Sequence, residues 1–322
     1  MLVLTGGAGF IGSCILAKLN ELGEENILVV DNLASTEKWK NLVGKKYAMY
    51  MQKQEFLMLL GQGKLEGQID AIIHMGACSS TTEKNADYLM ANNVNYTKAL
   101  ASWCLKNGKK MWYASSAAVY GDGSLGYSDD DALTPKQHPL NMYGYSKQLF
   151  DIWLLKNHLE NKLTGFRFFN VFGPNEYHKD SMRSMILKAF PRARDEKKIS
   201  LFASDRPDYK DGEQKRDFVY VKDVVDVIMY FYKNPKISGI YNIGTGHAQS
   251  WNDVANAMFK ALGGNGEIEY IPMPDILKGK YQYFTEADLK KLRKVGCDHR
   301  FRTLEESVGD YLENYLLPEK YL

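Results

Sequence analysis

Met1-Leu2-Val3-Leu4-Thr5-Gly6-Gly7-Ala8-Gly9-Phe10-Ile11-Gly12 opens the chain. A short β-rich run leads straight into glycines spaced Gly6-x-x-Gly9-x-x-Gly12. Beyond them Ile11, Ile15, Leu16, Leu19 and Leu22 recur at helical spacing, and the pattern stops at Gly23. Ile27–Val30 is a second apolar run, ended by Asp31. Strand, glycine turn, helix and strand make one βαβ unit, and strands apolar throughout suit a parallel sheet covered on both faces. In that context the glycines permit a tight turn. They also let backbone N–H groups approach a diphosphate at the positive end of the helix. Asp31 stands where an acidic side chain accepts hydrogen bonds from the ribose of a bound dinucleotide.

The alternation continues. The pattern predicts strands at Ala71–His74, Lys110–Ser115 and Gly165–Phe169, with helices over Asp87–Asn107 and Tyr143–Leu159. This is the rhythm of an α/β fold with a doubly wound parallel Rossmann sheet. After Gly173-Pro174 it breaks. Residues 175–215 are rich in charge, proline and glycine, with one helix expected near Met182–Phe190. Strand-like Phe218–Val221, helix-like Val224–Tyr232 and strand-like Ile240–Ile243 then predict a return to the sheet. A chain of 322 residues exceeds what one core usually fills. The expected division is a dinucleotide-binding domain, 1–173 plus about 216–246, and a smaller discontinuous α/β substrate-binding domain, about 174–215 plus 247–322.

Composition narrows the class. Hydrophobic residues at 45% and charged residues at 25% describe an ordinary globular enzyme, and a net charge of +2 gives no reason to expect nucleic acid or membrane as partner. Cys14, Cys78, Cys104 and Cys297 are far apart and form no CxxC pair, so neither a disulfide framework nor a metal site is expected. No signal-like segment and no apolar stretch of roughly 18 residues is present, which predicts a cytoplasmic protein.

Tyr143-Gly144-Tyr145-Ser146-Lys147 opens a predicted helix, and Tyr143 and Lys147, four residues apart, share one face of it. Oxidising an alcohol carbon needs a base to take the hydroxyl proton as hydride leaves. A free tyrosine, with a pKa of about 10, is a poor base at neutral pH, and an ammonium one turn away would favour its phenolate. The strand end Ser115-Ser116 supplies a hydroxyl that can orient the reacting oxygen; Ser116 is the candidate and Ser115 its structural neighbour. His74, ending a buried strand, reads as structural. Lys38 and Lys53 are read as lying in the loop that follows Asp31-Asn32. Two lysines could neutralise a 2′-phosphate that Asp31 alone would repel, so the residues leave NAD and NADP open.

Gly6-x-x-Gly9-x-x-Gly12, Ser116-Ala-Ala-Val-Tyr-Gly121, Tyr143-x-x-x-Lys147, Arg167-Phe-Phe-Asn170-Val-Phe-Gly-Pro174 and Arg216-Asp-Phe-Val-Tyr-Val-Lys-Asp223 together resemble the extended short-chain dehydrogenase/reductases that act on nucleotide sugars. Finer segments resemble the epimerases of that family that invert C6 of ADP-heptose. They are Gly76-Ala-Cys78-Ser-Ser-Thr-Thr-Glu83, Asn175-Glu-Tyr-His178-Lys179-Asp-Ser181-Met and Leu277-Lys-Gly-Lys-Tyr281-Gln. The resemblance implies a tightly held NADP. Its contacts would be Gly6, Gly9, Phe10, Ile11, Gly12, Asp31, Asn32, Lys38, Lys53, Met75, Gly76, Ala77, Cys78, Ser79, Asn92, Lys147 and Val171. It implies an ADP-heptose substrate held by Asn170, Ser181, Lys188, Phe202, Arg216 and Tyr281, and a homo-oligomer, by resemblance a pentamer. Met75-Gly-Ala departs from the family's usual Glu-Gly-Ala, and the segment Ser204–Gln214 is longer than usual.

Inverting a carbon that carries both hydroxyl and hydrogen requires hydride to leave one face and return to the other. For an exocyclic C6, rotation of a transient 6-aldehyde presents the second face, and its oxygen then needs its own proton donor. The resemblance assigns that role to Lys179, beside Tyr143, Lys147 and Ser116. A UDP-sugar 4-epimerase shares every element but Lys179 and is the nearest rival. A 4,6-dehydratase would need an Asp-Glu pair where Ala117-Ala118 stands, and a catalytically dead sensor would tend to lose the Tyr or Lys that this chain keeps.

Overall fold

The computed structural model describes residues 1–275 and 281–322, so Leu277–Lys280 of the segment quoted above lies outside the described residues. Strands β1 (Leu2–Thr5), β2 (Ile27–Asp31), β3 (Met49–Gln52), β4 (Ala71–His74), β5 (Lys110–Ser116) and β6 (Thr164–Phe168) occupy the first half. The rest are β7 (Asn170–Phe172), β8 (Lys198–Phe202), β9 (Lys215–Tyr220), β10 (Gly239–Ile243), β11 (Ala248–Ser250) and β12 (Glu267–Ile271). Seven of them form one parallel sheet in the order β3-β2-β1-β4-β5-β6-β10. The order reverses between β1 and β4, and the crevice beyond the carboxyl ends of strands at such a switch point is where α/β sheets bind ligands.

Both faces of the sheet are dry. Along β1, Leu2 and Leu4 join one core with Ile15, Leu16, Phe166, Val224 and Ile228, while Val3 joins the other with Leu28, Ile72, Leu100, Met111, Phe150 and Leu154. That is why the strands read as unbroken apolar runs rather than alternating ones. Helices Phe10–Glu21 and Val221–Lys233 cover the first face, and Tyr96–Lys106 and Met142–Lys156 contribute to the second. The expected helix over Asp87–Asn107 comes as Ala86–Leu89, a π-turn at Met90–Asn95, and Tyr96–Lys106.

The remaining strands build two smaller sheets. The parallel pair β8 and β12 lies against helices Met185–Glu196, Trp251–Ala261 and Leu304–Tyr311 around a third core containing Phe190, Ile199, Leu201, Met258, Val308 and Tyr311. A three-stranded sheet, β11-β9-β7, joins the halves. Here the sequence expectation is corrected. The strand at Phe218–Val221 does not return to the main sheet; as β9 it pairs with β7 and β11, and only β10 rejoins at the edge beside β6. Its side chains explain the choice, because Phe218 and Tyr220 enter the third core while Val219 enters the first. The linking sheet thus draws strands from both sides of the boundaries expected at 173/174, 215/216 and 246/247. Among the described residues no helix is long and apolar enough to cross a membrane.

Candidate active site

A cleft of about 970 Å³ runs from the glycine turn, past the ends of β1, β4 and β5, to helix Met185–Glu196 and β8. Its cofactor end is set by the turn itself. Gly6 takes a left-handed φ of +68°, and a Cβ there would sit 2.6 Å from the backbone N of Gly76, just past the end of β4. A Cβ on Gly12 would meet the Gly6 carbonyl at 2.1 Å, so helix and turn touch backbone to backbone. Gly9 caps helix Phe10–Glu21 with no side-chain hydrogen bond, which leaves the helix N-terminus open to the cleft that Gly9 lines. This cradle fits a dinucleotide diphosphate.

Asp31 ends β2 beside it. One carboxylate oxygen accepts the Ala8 N–H at 2.9 Å, and the other accepts Asn32 N–H at 2.6 Å and the Lys38 ammonium at 2.7 Å. Lys53 hydrogen-bonds Asn92 and lies 5.4 Å over the Tyr96 ring; burial lowers its pKa, Asp31 opposes that, and Lys38 adds to it. A carboxylate and two ammonium groups therefore share this corner. His74 is structural in its contacts: its ring nitrogens meet Thr5 Oγ1 at 2.6 Å and Thr97 Oγ1 at 2.9 Å, and burial pushes its pKa down to about 3.

The Asn141 side chain accepts the Gly144 N–H at 2.8 Å and starts helix Met142–Lys156, which puts Tyr143 and Lys147 in its opening turns. Ser116 ends β5, where its hydroxyl accepts the Ala118 N–H at 3.1 Å, and it lines the cleft together with Tyr143. Ser115 turns the other way, donating to Asp151 at 2.9 Å; Tyr113 and the fully buried Arg167 hold the same carboxylate from behind. Both serines line the cleft, and the Ser115 hydroxyl is the one engaged by Asp151.

Burial dominates the electrostatics of the pair. Burial raises the Tyr143 phenol, and the group that opposes this is the Ser116 hydroxyl. Lys147 is itself buried, pushed down to about 8, and its ammonium donates to the Ala114 carbonyl at 2.9 Å. Desolvation disfavours both charged forms and is the largest cause of each shift.

Lys179 reaches the cleft from the turn Tyr177–Met182, its ammonium 5.1 Å from the centre of the Phe10 ring. Burial lowers its pKa, Glu176 opposes the shift and Lys188 adds to it. The turn is tied to the glycine loop through Asn41, whose amide donates to the carbonyls of Ala8 at 2.9 Å and Asn175 at 3.1 Å. Beyond it the wall turns basic and aromatic. Lys188 and Arg192, four apart on helix Met185–Glu196, line the cleft with Arg183, Phe202, Trp251 and Tyr281.

Most residues singled out in the sequence meet at this cleft. Gly6, Gly9, Phe10, Ile11, Gly12, Asp31, Lys38, Met75, Gly76, Ala77, Ser79, Ser116, Tyr143, Lys147, Asn170, Val171, Lys179, Lys188, Phe202 and Tyr281 form its wall. Others stand back from it. Asn32, Lys53, Cys78 and Asn92 are not among its lining residues, and Cys78 donates its N–H to Asn93 at 2.8 Å. Arg216 is buried 4.9 Å under the Tyr281 ring, which holds Trp251 Nε1 at 2.7 Å. Ser181 is exposed and offers its carbonyl to Lys188 at 2.6 Å. Sequence reasoning passed over His178, Arg183 and Arg192. The 188/192 spacing was a usable sign for Arg192. Arg183, with a buried Nε lacking a hydrogen-bond partner among the described residues, carried none.

A dinucleotide cradle beside a Tyr-x-x-x-Lys pair and a strand-end serine defines an enzyme that moves hydride at a sugar carbon, and the chain belongs to the NAD dependent epimerase/dehydratase family, whose model matches residues 2–244. It is 52% identical, over 98% of both chains, to the ADP-L-glycero-D-manno-heptose-6-epimerase of Nitratidesulfovibrio vulgaris. It is 47% identical, over 99% of each, to the protein of that name from Fusobacterium nucleatum. The solved Helicobacter pylori ADP-L-glycero-D-manno-heptose-6-epimerase superimposes with a TM-score of 0.80 at 29% identity, over 97% of this chain and 95% of that one.

Proposed function

We propose that this enzyme interconverts ADP-D-glycero-D-manno-heptose and ADP-L-glycero-D-manno-heptose at C6, a step in making the precursor of the lipopolysaccharide inner core. The observation that carries the reading is a second protonable group in the cleft, Lys179, on a different element from Tyr143. Near-full-length identity to proteins of that name supports the substrate.

A bound nicotinamide supplies the acceptance and return of hydride. Gly6, Gly9, Phe10, Ile11 and Gly12 would hold its diphosphate and Asp31 its adenosine ribose. We take the cofactor to be NADP, since Lys38 and Lys53 stand beside Asp31 and can balance a further phosphate. On the substrate side Tyr143, as its phenolate, takes up the C6 hydroxyl proton, with Ser116 orienting that oxygen. After rotation about C5–C6 the carbonyl oxygen points elsewhere, and Lys179 protonates it there. Lys188 and Arg183 line the stretch that would take the substrate diphosphate, with Arg216 fixed behind Tyr281. The same reading makes the protein cytoplasmic and homo-oligomeric. It also divides the chain into a cofactor unit around the main sheet and a substrate unit around the third core.

The test is incubation of the purified protein with ADP-D-glycero-D-manno-heptose and no added cofactor. The L-epimer should form without net change in reduced nicotinamide, and nucleotide released by denaturation should have the mass of NADP. Conversion of UDP-galactose in preference would point to the 4-epimerase instead.

A further inference from the structure

We propose that Glu176 is the positioning residue that fixes Lys179 for its half of the reaction, an inference that rests on the two-base C6 reading above. Glu176 is fully buried. One carboxylate oxygen accepts the Gly173 N–H at 3.3 Å, the Ser184 hydroxyl at 2.6 Å and the Tyr311 hydroxyl at 3.2 Å; the other accepts the Ser184 N–H at 2.6 Å. Gly173 precedes the Lys179 loop and Ser184 follows it, so one side chain closes the loop on itself. Tyr311 comes from helix Leu304–Tyr311 and pins that closure to the third core. The backbone carbonyl of Glu176 accepts the Lys179 N–H at 3.0 Å, one turn away.

Two facts make this more than loop architecture. First, among the described residues no ion pair includes Glu176, and a buried carboxylate held only by neutral donors is costly compared with a neutral side chain. Its charge has an effect elsewhere: it acts on Lys179 and on Lys188, both lining the cleft. Secondly, the loop holds non-glycine residues at positive φ, Asn175 at 73° and Asp180 at 46°. Such geometry persists only where the surroundings over-determine it. The Asn175 side chain is locked by Ser13 Oγ at 2.9 Å and the Leu322 N–H at 2.9 Å, and Ser184, held by Glu176, caps helix Met185–Glu196 through Leu187 N–H at 3.2 Å.

If Lys179 serves one epimer and Tyr143 the other, a fault in Lys179 placement must be epimer-selective. The experiment is single-turnover hydride transfer in the cofactor-loaded enzyme, followed by nicotinamide absorbance, started separately from each C6 epimer. Glu176→Gln should slow transfer from one epimer by about 100-fold, the scale of an ångström of misplacement, and leave the other near the parent rate. Lys179→Met should select the same epimer. Equal slowing of both epimers by Glu176→Gln, or of neither, beside a selective Lys179→Met, overturns the proposal. An unselective Lys179→Met overturns the two-base reading and the proposal with it. Should Glu176→Gln not fold, Tyr311→Phe removes a single neutral donor. It should give a smaller loss confined to the same epimer, and no selective loss would overturn the proposal.

Discussion

Burial, rather than charge pairing, sets the protonation of the groups behind and around this cleft. His74 is held at about 3 and His178 at about 4, each first by desolvation. Both are therefore neutral in the folded protein at pH values where the unfolded chain, with histidine pKa of about 6.5, takes up protons. Below about pH 6.5 the unfolded state binds more protons than the native one, so stability falls on acidification. Each histidine contributes up to about 1.4 kcal/mol per pH unit once well below its unfolded value. Denaturant titrations between pH 6.5 and 5 should show this slope, and His74→Gln should remove roughly half of the histidine contribution. An unchanged slope in that variant would mean that His74 is not kept neutral.

At the scale of elements, the glycine turn makes a sharper distinction than its sequence suggests. Gly12→Ala would drive a Cβ to 2.1 Å from the Gly6 carbonyl and should cost stability outright. Gly9 has ordinary backbone angles, φ −73° and ψ 177°, and a Cβ there meets the turn only at the Gly6 carbonyl, 3.1 Å away. Gly9→Ala should therefore fold with a melting temperature near the parent's but purify without nucleotide. Nucleotide content equal to the parent's would contradict the cradle.

The same elements show what a sequence can disclose. β1, β2, β4, β5, β6 and β10 announced themselves because both faces are dry, so apolar residues run without a break. β3 and β12 did not, since Met49–Gln52 buries only Met51 and Glu267–Ile271 buries none. β9 was visible as a strand but not in its pairing, because partners from residues 170–172 and 248–250 leave no local mark. Tyr143, Lys147 and Ser116 could be reasoned from spacing and chemistry. Lys179 came from resemblance alone, since nothing local tells a lysine drawn over a phenylalanine ring from one in water. Glu176 lay inside a quoted motif, and only its four-sided burial singles it out.

The whole molecule places a cleft between a dry parallel sheet and a third core, with the strands β7, β9 and β11 linking them. The cofactor cradle and Tyr143 belong to the first part, while Lys188 and the aromatic wall belong to the second. Lys179 sits on the chain that crosses between them. In the proposed two-base scheme, that placement separates an enzyme that oxidises and re-reduces one carbon from opposite faces from one that merely oxidises it. The most direct measurement is turnover of ADP-D-glycero-D-manno-heptose by Lys179→Met, alongside its nucleotide content. Nucleotide retained as in the parent with epimerisation abolished is the predicted result; turnover near the parent rate would contradict the two-base account.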